Sequence, residues 1–215
     1  MITSTASADS ISIDPQTTKV NYTMIQNIPD APQKPAGICG SGIVSGVAAL
    51  VKAQIVLANG RFNLECEHQN LRRNTEGLME FVIVPGEETQ TGDDITLTQR
   101  DIRAVQLAKG AILAGIILLC REAKLNLPHR FLIAGAFGSF LNKDDAMTIG
   151  MLPRLAEHGV EIVGNAAGEG AILALLSEEF CRRARQIARR TKVLDLASHP
   201  DFQREFLRSL SFPEG

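Results

Sequence analysis

The chain predicts a layered α/β fold, and two observations carry that reading. In its second half, short apolar runs alternate with helical patterns. Several of the run-to-helix boundaries are clusters of glycine and alanine: Ala134-Gly-Ala-Phe-Gly138, Gly164-Asn-Ala-Ala-Gly168, and an earlier one at Gly37-Ile-Cys-Gly-Ser-Gly42. A strand that ends in a small-residue turn and leads into a helix lets backbone approach a ligand closely. Glycine there removes the obstructing Cβ and permits positive φ. Three such turns point to nucleotide handling.

Residues 1–10 are small and polar and read as a frayed N-terminus, which leaves 11–215 as one domain. Alternation on both sides of Asp14-Pro-Gln-Thr-Thr18 predicts a hairpin over 11–26. Pro32 and Pro35 lead into the first glycine turn. Ser41 is placed to cap a helix to about Ala58, whose apolar residues Ile43, Val47, Leu50, Val51 and Ile55 recur at helical spacing. Residues 61–95 read as irregular, apart from a strand at Glu80–Val84 and an acidic surface loop over 85–94.

A helix over Thr98–Lys124 is strongly signalled. Thr98 and Asp101 can form a short capping box, and Leu97 with Ile102 a hydrophobic staple. Ile102, Val105, Ala108, Ile112, Ile116 and Leu119 trace its expected core face. Strands follow at 130–134 and 160–163, with a short helix near Asp144–Ile149 between them. A long helix from about Ala166 to Arg190, a strand Lys192–Leu196 and a helix at 200–210 complete the order. The long 98–124 helix is expected to pack on the sheet that holds 130–134 and 160–163.

Composition narrows the function. A formal net charge of -2 predicts neither nucleic-acid nor membrane partners. No run reads as a membrane span or secretory signal, so the expected location is the cytoplasm. Cys39, Cys66, Cys120 and Cys181 form no close pair, and the four histidines are scattered, so no metal or cluster site is expected. Gly164, Gly168 and Gly170 after an apolar run suggest a short-chain dehydrogenase using NAD. Too few strands remain downstream to complete a dinucleotide crevice.

Taken together, Thr96–Ile112, Ile133-Ala-Gly-Ala-Phe-Gly-Ser-Phe-Leu141, Val163-Gly-Asn-Ala-Ala-Gly-Glu-Gly-Ala171, Leu196–Phe206 and Pro35–Ile43 carry a more specific likeness. From about residue 11 onward the chain resembles the C-terminal part of the reductive activators of corrinoid proteins. These belong to the acetate and sugar kinase, chaperone and actin superfamily of ATPases. The resemblance implies an actin-like (ribonuclease H-like) lobe of an ATP-dependent activator. Such a protein supports reduction of an inactive Co(II) corrinoid protein, part of a methyltransferase system, to Co(I). It implies ATP with Mg²⁺, a [2Fe–2S] domain and, as a further possible partner, a second copy in a homodimer.

The same resemblance assigns residues. Gly135, Ala136, Phe137 and Gly138 match the adenosine motif, and Gly164, Asn165 and Gly168 match the second connecting segment. Gln106 and Lys109 sit where actin-like ATPases carry an acidic residue and a lysine around adenine. Glutamine in place of the acid removes the charge partner, and a solvated Lys109 on an amphipathic helix is the competing reading. Valine at Gly138, and less strongly at Gly135, is expected to raise the ATP requirement. The chain lacks the D-x-G-T phosphate loops and the clustered cysteines of the family, so it is expected to be a fragment with negligible ATPase activity of its own. The alternative is a non-catalytic interaction or dimerisation module on an actin-like scaffold. Six cations between Arg182 and Lys192 complement a helix C-terminus, or form a docking patch for an acidic partner.

Overall fold

In the computed structural model, the described residues are 7–24, 34–126, 128, 130–135, 138, 140–153 and 159–214. Strand β1 (Ser7–Ile13) pairs antiparallel with β2 (Val20–Met24), from Ala8 opposite Met24 to Ile13 opposite Val20. The turn between them is fixed by Asp14, whose Oδ1 accepts from the amides of Gln16 and Thr17, both at 2.8 Å. The expected hairpin is present. Residues 7–10 are not frayed, because Ala8 is fully buried and β1 also pairs in parallel with β3 (Gly37–Ile38).

Helix α1 (Gly40–Lys52) follows β3 directly. Cys39, not Ser41, occupies its N-cap, and the helix ends six residues before Ala58. The chain turns back there through Gln54, whose φ is +56°. Ser45 holds α1 to β1, donating to the Ile11 carbonyl at 2.9 Å and accepting from the Ile11 amide at 3.0 Å.

Residues 71–98 form an antiparallel sheet of β4 (Leu71–Arg73), β5 (Met79–Val84) and β6 (Ile95–Thr98). Only β5 was legible, because β4 is short and mostly exposed and carries no apolar alternation. The 85–94 loop is tied down by Thr89, which is buried and donates to the carbonyls of Gly86 and Asp93.

Helix α2 (Gln99–Glu122) begins with the predicted capping box between Thr98 and Asp101. Its core face is rotated from the expected one. Ile102 and Val105 are buried as expected, but Ala108, Ile112 and Leu119 are exposed. The buried track instead runs through Gln106, Lys109, Gly110, Ala114 and Leu118. The C-terminal segment covers that side, and Gly110 lets it approach: a Cβ there would lie 3.1 Å from Leu210 and 3.3 Å from the Ser209 carbonyl. Contrary to expectation, α2 is long and apolar enough, by length and composition alone, to cross a membrane. A core helix of a soluble domain passes the same test.

Strands β7 (Phe131–Ile133) and β8 (Val160–Ile162) pair in parallel, Phe131 opposite Val160. Between them lies α3 (Lys143–Thr148), capped by Asn142. The expected 166–190 helix is two helices, α4 (Ala166–Leu176) and α5 (Glu178–Arg190). Ser177 breaks it: extended at φ −148°, it ends α4 and accepts from the Phe180 amide as the N-cap of α5. Residues 192–196 form no strand; Val193 is 92% exposed and Asp195 turns the chain toward Ser198. Helix α6 (Phe202–Arg208) then docks on α2, where Arg121 meets Glu205 at 3.2 Å.

The main core joins Val47 and Leu50 of α1, Phe81 and Val84 of β5, Leu97, Ile102, Ile149 and Phe212. The β7 residues Phe131 and Ile133 and the α2 residue Ile116 pack on its margin. Helix α2 therefore packs chiefly on α1, β6 and α6.

Candidate functional site

Two glycine turns meet at the C-terminal ends of the parallel strands β7 and β8. The Gly135 amide donates to the Gly164 carbonyl at 2.8 Å, and the Val163 amide donates to Ile133 at 2.9 Å, which continues the β7–β8 pairing into the turns. Gly135 has φ +103° and Gly164 φ +65°, a region that favours glycine. Among the described residues, a Cβ built on either would meet nothing within 4 Å, so each position has room beside its backbone.

Helix α4 starts immediately after the second turn. Asn165 is its N-cap, its Oδ1 accepting from the Gly168 amide at 3.2 Å. A Cβ on Gly168 would strike that capping side chain at 2.5 Å. Asn165 and Gly168 thus shape the helix start. The first α4 turn is largely satisfied from within: the Ala166 amide donates to the Gly164 carbonyl at 3.0 Å, Gly168 to Asn165 Oδ1, and Glu169 to the Asn165 carbonyl at 3.0 Å.

Gly138 differs from Gly135. A Cβ there would lie 2.4 Å from Ile133 Cγ2, so its smallness serves local packing against β7. A substitution at Gly138 therefore disturbs packing on Ile133 first, whatever its effect on a ligand. Ala136 and Phe137 lie outside the described residues.

Gln106 and Lys109 are not in an open cradle. Gln106 is 4% exposed, accepts from Arg103 at 2.7 Å and donates to the Leu210 carbonyl at 3.1 Å. Lys109 is 1% exposed, donates to the Ser211 carbonyl and lies 5.5 Å from the centre of the Phe212 ring. Burial pulls its ammonium down from 10.5 to about 8. The solvated reading of Lys109 is therefore wrong: both side chains clamp the 210–212 segment. The Phe212 amide completes the clamp by donating to the Ala58 carbonyl at 2.8 Å.

The third glycine segment also serves packing. A Cβ on Gly42 would lie 2.3 Å from the Ala8 carbonyl oxygen, and one on Gly46 2.8 Å from Leu97. These glycines bring α1 onto β1 and β6. Cys39 Sγ lies 3.0 Å from Ser41 Oγ at the α1 start.

Three comparisons follow from this architecture. The family model described as the C-terminal domain of RACo, the ASKHA domain, matches residues 1–215. The chain belongs to this family. It is similar to the corrinoid activation enzyme RamQ of Eubacterium limosum, 37% identical over 202 residues that cover 90% of this chain and 33% of that protein. Among solved structures it is similar to a reductive activator for corrinoid, iron-sulfur protein, at 34% identity and a TM-score of 0.84, covering 97% of this chain and 33% of that one. The chain spans about a third of the length of both relatives.

Family membership establishes the actin-like ATPase fold and the kinship with corrinoid activators. Among the described residues, the paired turns bring the predicted site residues Gly135, Gly164, Asn165 and Gly168 together. The C-terminal clamp was missed in the sequence. Its only signal is Phe212, an aromatic residue beside a proline close to the chain end, facing two polar residues on a helix predicted to be apolar.

Proposed function

We propose that this chain is the adenosine-side lobe of an ATP-dependent activator that supports reduction of an inactive Co(II) corrinoid protein to Co(I). It acts in the cytoplasm as part of a longer polypeptide that carries the two phosphate loops and a [2Fe–2S] domain. The observation that carries this reading is the hydrogen-bonded pair Gly135 and Gly164, with positive φ and, among the described residues, room beside the backbone at both, at the strand ends beside the α4 N-terminus. That arrangement fits a nucleoside laid flat on backbone.

Each residue has a distinct task in this reading. Gly135 and Gly164 leave room for the ligand, Asn165 fixes where α4 begins, and Gly138 with Ile133 holds the first turn against β7. Gln106 and Lys109 contribute rigidity through the C-terminal clamp and do not touch the ligand. ATP supplies the binding and hydrolysis energy that an uphill electron transfer to cobalt requires. Mg²⁺ accompanies the phosphates of ATP and the iron–sulfur cluster belongs to the separate domain in this reading.

The test is calorimetric titration with ATP. The full-length activator should bind ATP in the presence of Mg²⁺, and the 215-residue chain should bind it far more weakly, because phosphate contacts dominate nucleotide affinity. Equal, tight binding by both would overturn the division of the site. Corrinoid reduction that proceeds equally without ATP would overturn the activator reading.

A further inference from the structure

Helix α5 has a charged face that no carboxylate of the described residues pairs with; Arg183 lies over the ring of Phe180 on the same helix, 6.0 Å from its centre. Six of the chain's 22 basic residues fall in 182–192 (Arg182, Arg183, Arg185, Arg189, Arg190 and Lys192), with no acidic residue among them, although the whole chain carries a net charge of -2. All six are exposed. Among the described residues none of them has an ion-pair partner, whereas Arg72, Arg121 and Arg204 are each paired with carboxylates. At helical spacing, Arg182, Arg185 and Arg189 share one face, and Arg183 with Arg190 flank it. Helix α5 packs substantially only on α4, so the row stands clear of the body.

Helix-dipole complementarity accounts for a cation or two in the last turn, since the effect fades within that turn. Arg182, Arg183 and Arg185 lie in the first two turns, beyond its reach. Glu178 and Glu179 stand one turn before Arg182 and Arg183, but no acidic residue lies within a turn of Arg185, Arg189 and Arg190 on α5, so their like-charge repulsion is not offset on the helix itself. The choice of residue is informative too. Arginine outnumbers lysine five to one, and its planar fork matches carboxylates in pairs, whereas a diffuse anionic surface is served equally by lysine.

We propose that this arginine face is the docking surface for an acidic patch on a partner protein, and that the partner is the corrinoid-bearing protein. The proposal rests on the activator reading above. Carboxylates on that protein seat against Arg182, Arg185 and Arg189, steer the encounter and set the orientation in which cobalt is presented.

The experiment measures binding between the full-length activator and its purified corrinoid protein at two salt concentrations. It compares the wild type with Arg182→Glu, Arg185→Glu and Arg189→Glu combined. The reversal should weaken binding about tenfold or more and flatten the salt dependence. ATP affinity and melting temperature should be unchanged, since these side chains are exposed and distant from the core. If the reversed protein fails to fold, the neutral Arg→Gln set at the same positions should show a smaller loss in the same direction. Unchanged affinity in either variant overturns the docking surface and leaves the activator reading standing. Binding of the wild type to phosphatidylserine vesicles as tight as to the corrinoid protein overturns it as well. No binding of the wild type to the corrinoid protein sinks the activator reading, and the docking surface with it.

Discussion

Lys109 is a buried cation with no carboxylate partner among the described residues. It is 1% exposed, and its ammonium is balanced by the Ser211 carbonyl and the Phe212 ring rather than by a carboxylate. The lysine is pulled down from 10.5 to about 8. Below about pH 8 both folded and unfolded chains hold the proton, and the full cost of burying the charge is present. Between about 8 and 10.5 the folded chain has released the proton while the unfolded chain still binds it, so stability rises with pH through that window. Compared with a Lys109→Met variant, the wild type should therefore gain about 2–3 kcal/mol between pH 7.5 and 10.5. Urea unfolding at the two pH values measures this, and a pH-independent difference would show that the charge is not buried. Gln106→Leu should destabilise the chain by about 1–2 kcal/mol, because the Leu210 carbonyl and Arg103 both lose a partner. Neither role could be read in the sequence. Both residues sit on an apolar helix, and their partners lie about a hundred positions away in the chain.

At the level of elements, local chemistry was the legible part. The Thr98–Asp101 box starts α2 where the residues predict, and Asp14 and Gly164 place their turns. Thr98→Ala should cost about 1 kcal/mol, measured by chemical denaturation, because the Asp101 amide loses its acceptor. What failed depended on partners distant in the chain. The buried side of α2 was misjudged because α6 and the C-terminal clamp cover much of it, beside α1 and β6, and the β7–β8 pair does not. The break at Ser177 was missed because continuous helical periodicity outweighed a good N-cap residue followed by two glutamates. In the glycine turns, the sequence marks both Gly135 and Gly138 as special. Only the fold separates them: a Cβ on Gly138 would meet Ile133, whereas one on Gly135 would meet no atom of the described residues within 4 Å. Gly138→Ala should accordingly lower stability by about 1–3 kcal/mol through the clash with Ile133. Unaltered melting of that variant would remove the packing role.

For the whole molecule, the recognisable pattern was the order of several glycine-bearing motifs, each weak alone. That order pointed to the corrinoid activator family, and the family match over residues 1–215 bears it out. The fold brings the motifs at 134–138 and 163–168 together through the Gly135–Gly164 main-chain hydrogen bond. The central claim is that this joined pair faces the nucleotide. The most direct measurement is ATP affinity and melting temperature together, on full-length activator carrying Gly135→Val. A Cβ there meets no atom of the described residues within 4 Å, although φ +103° adds backbone strain. The account predicts a loss of ATP affinity of about tenfold or more, well beyond what the shift in melting temperature explains. An ATP affinity equal to that of the wild type, in a protein that melts earlier, would contradict it.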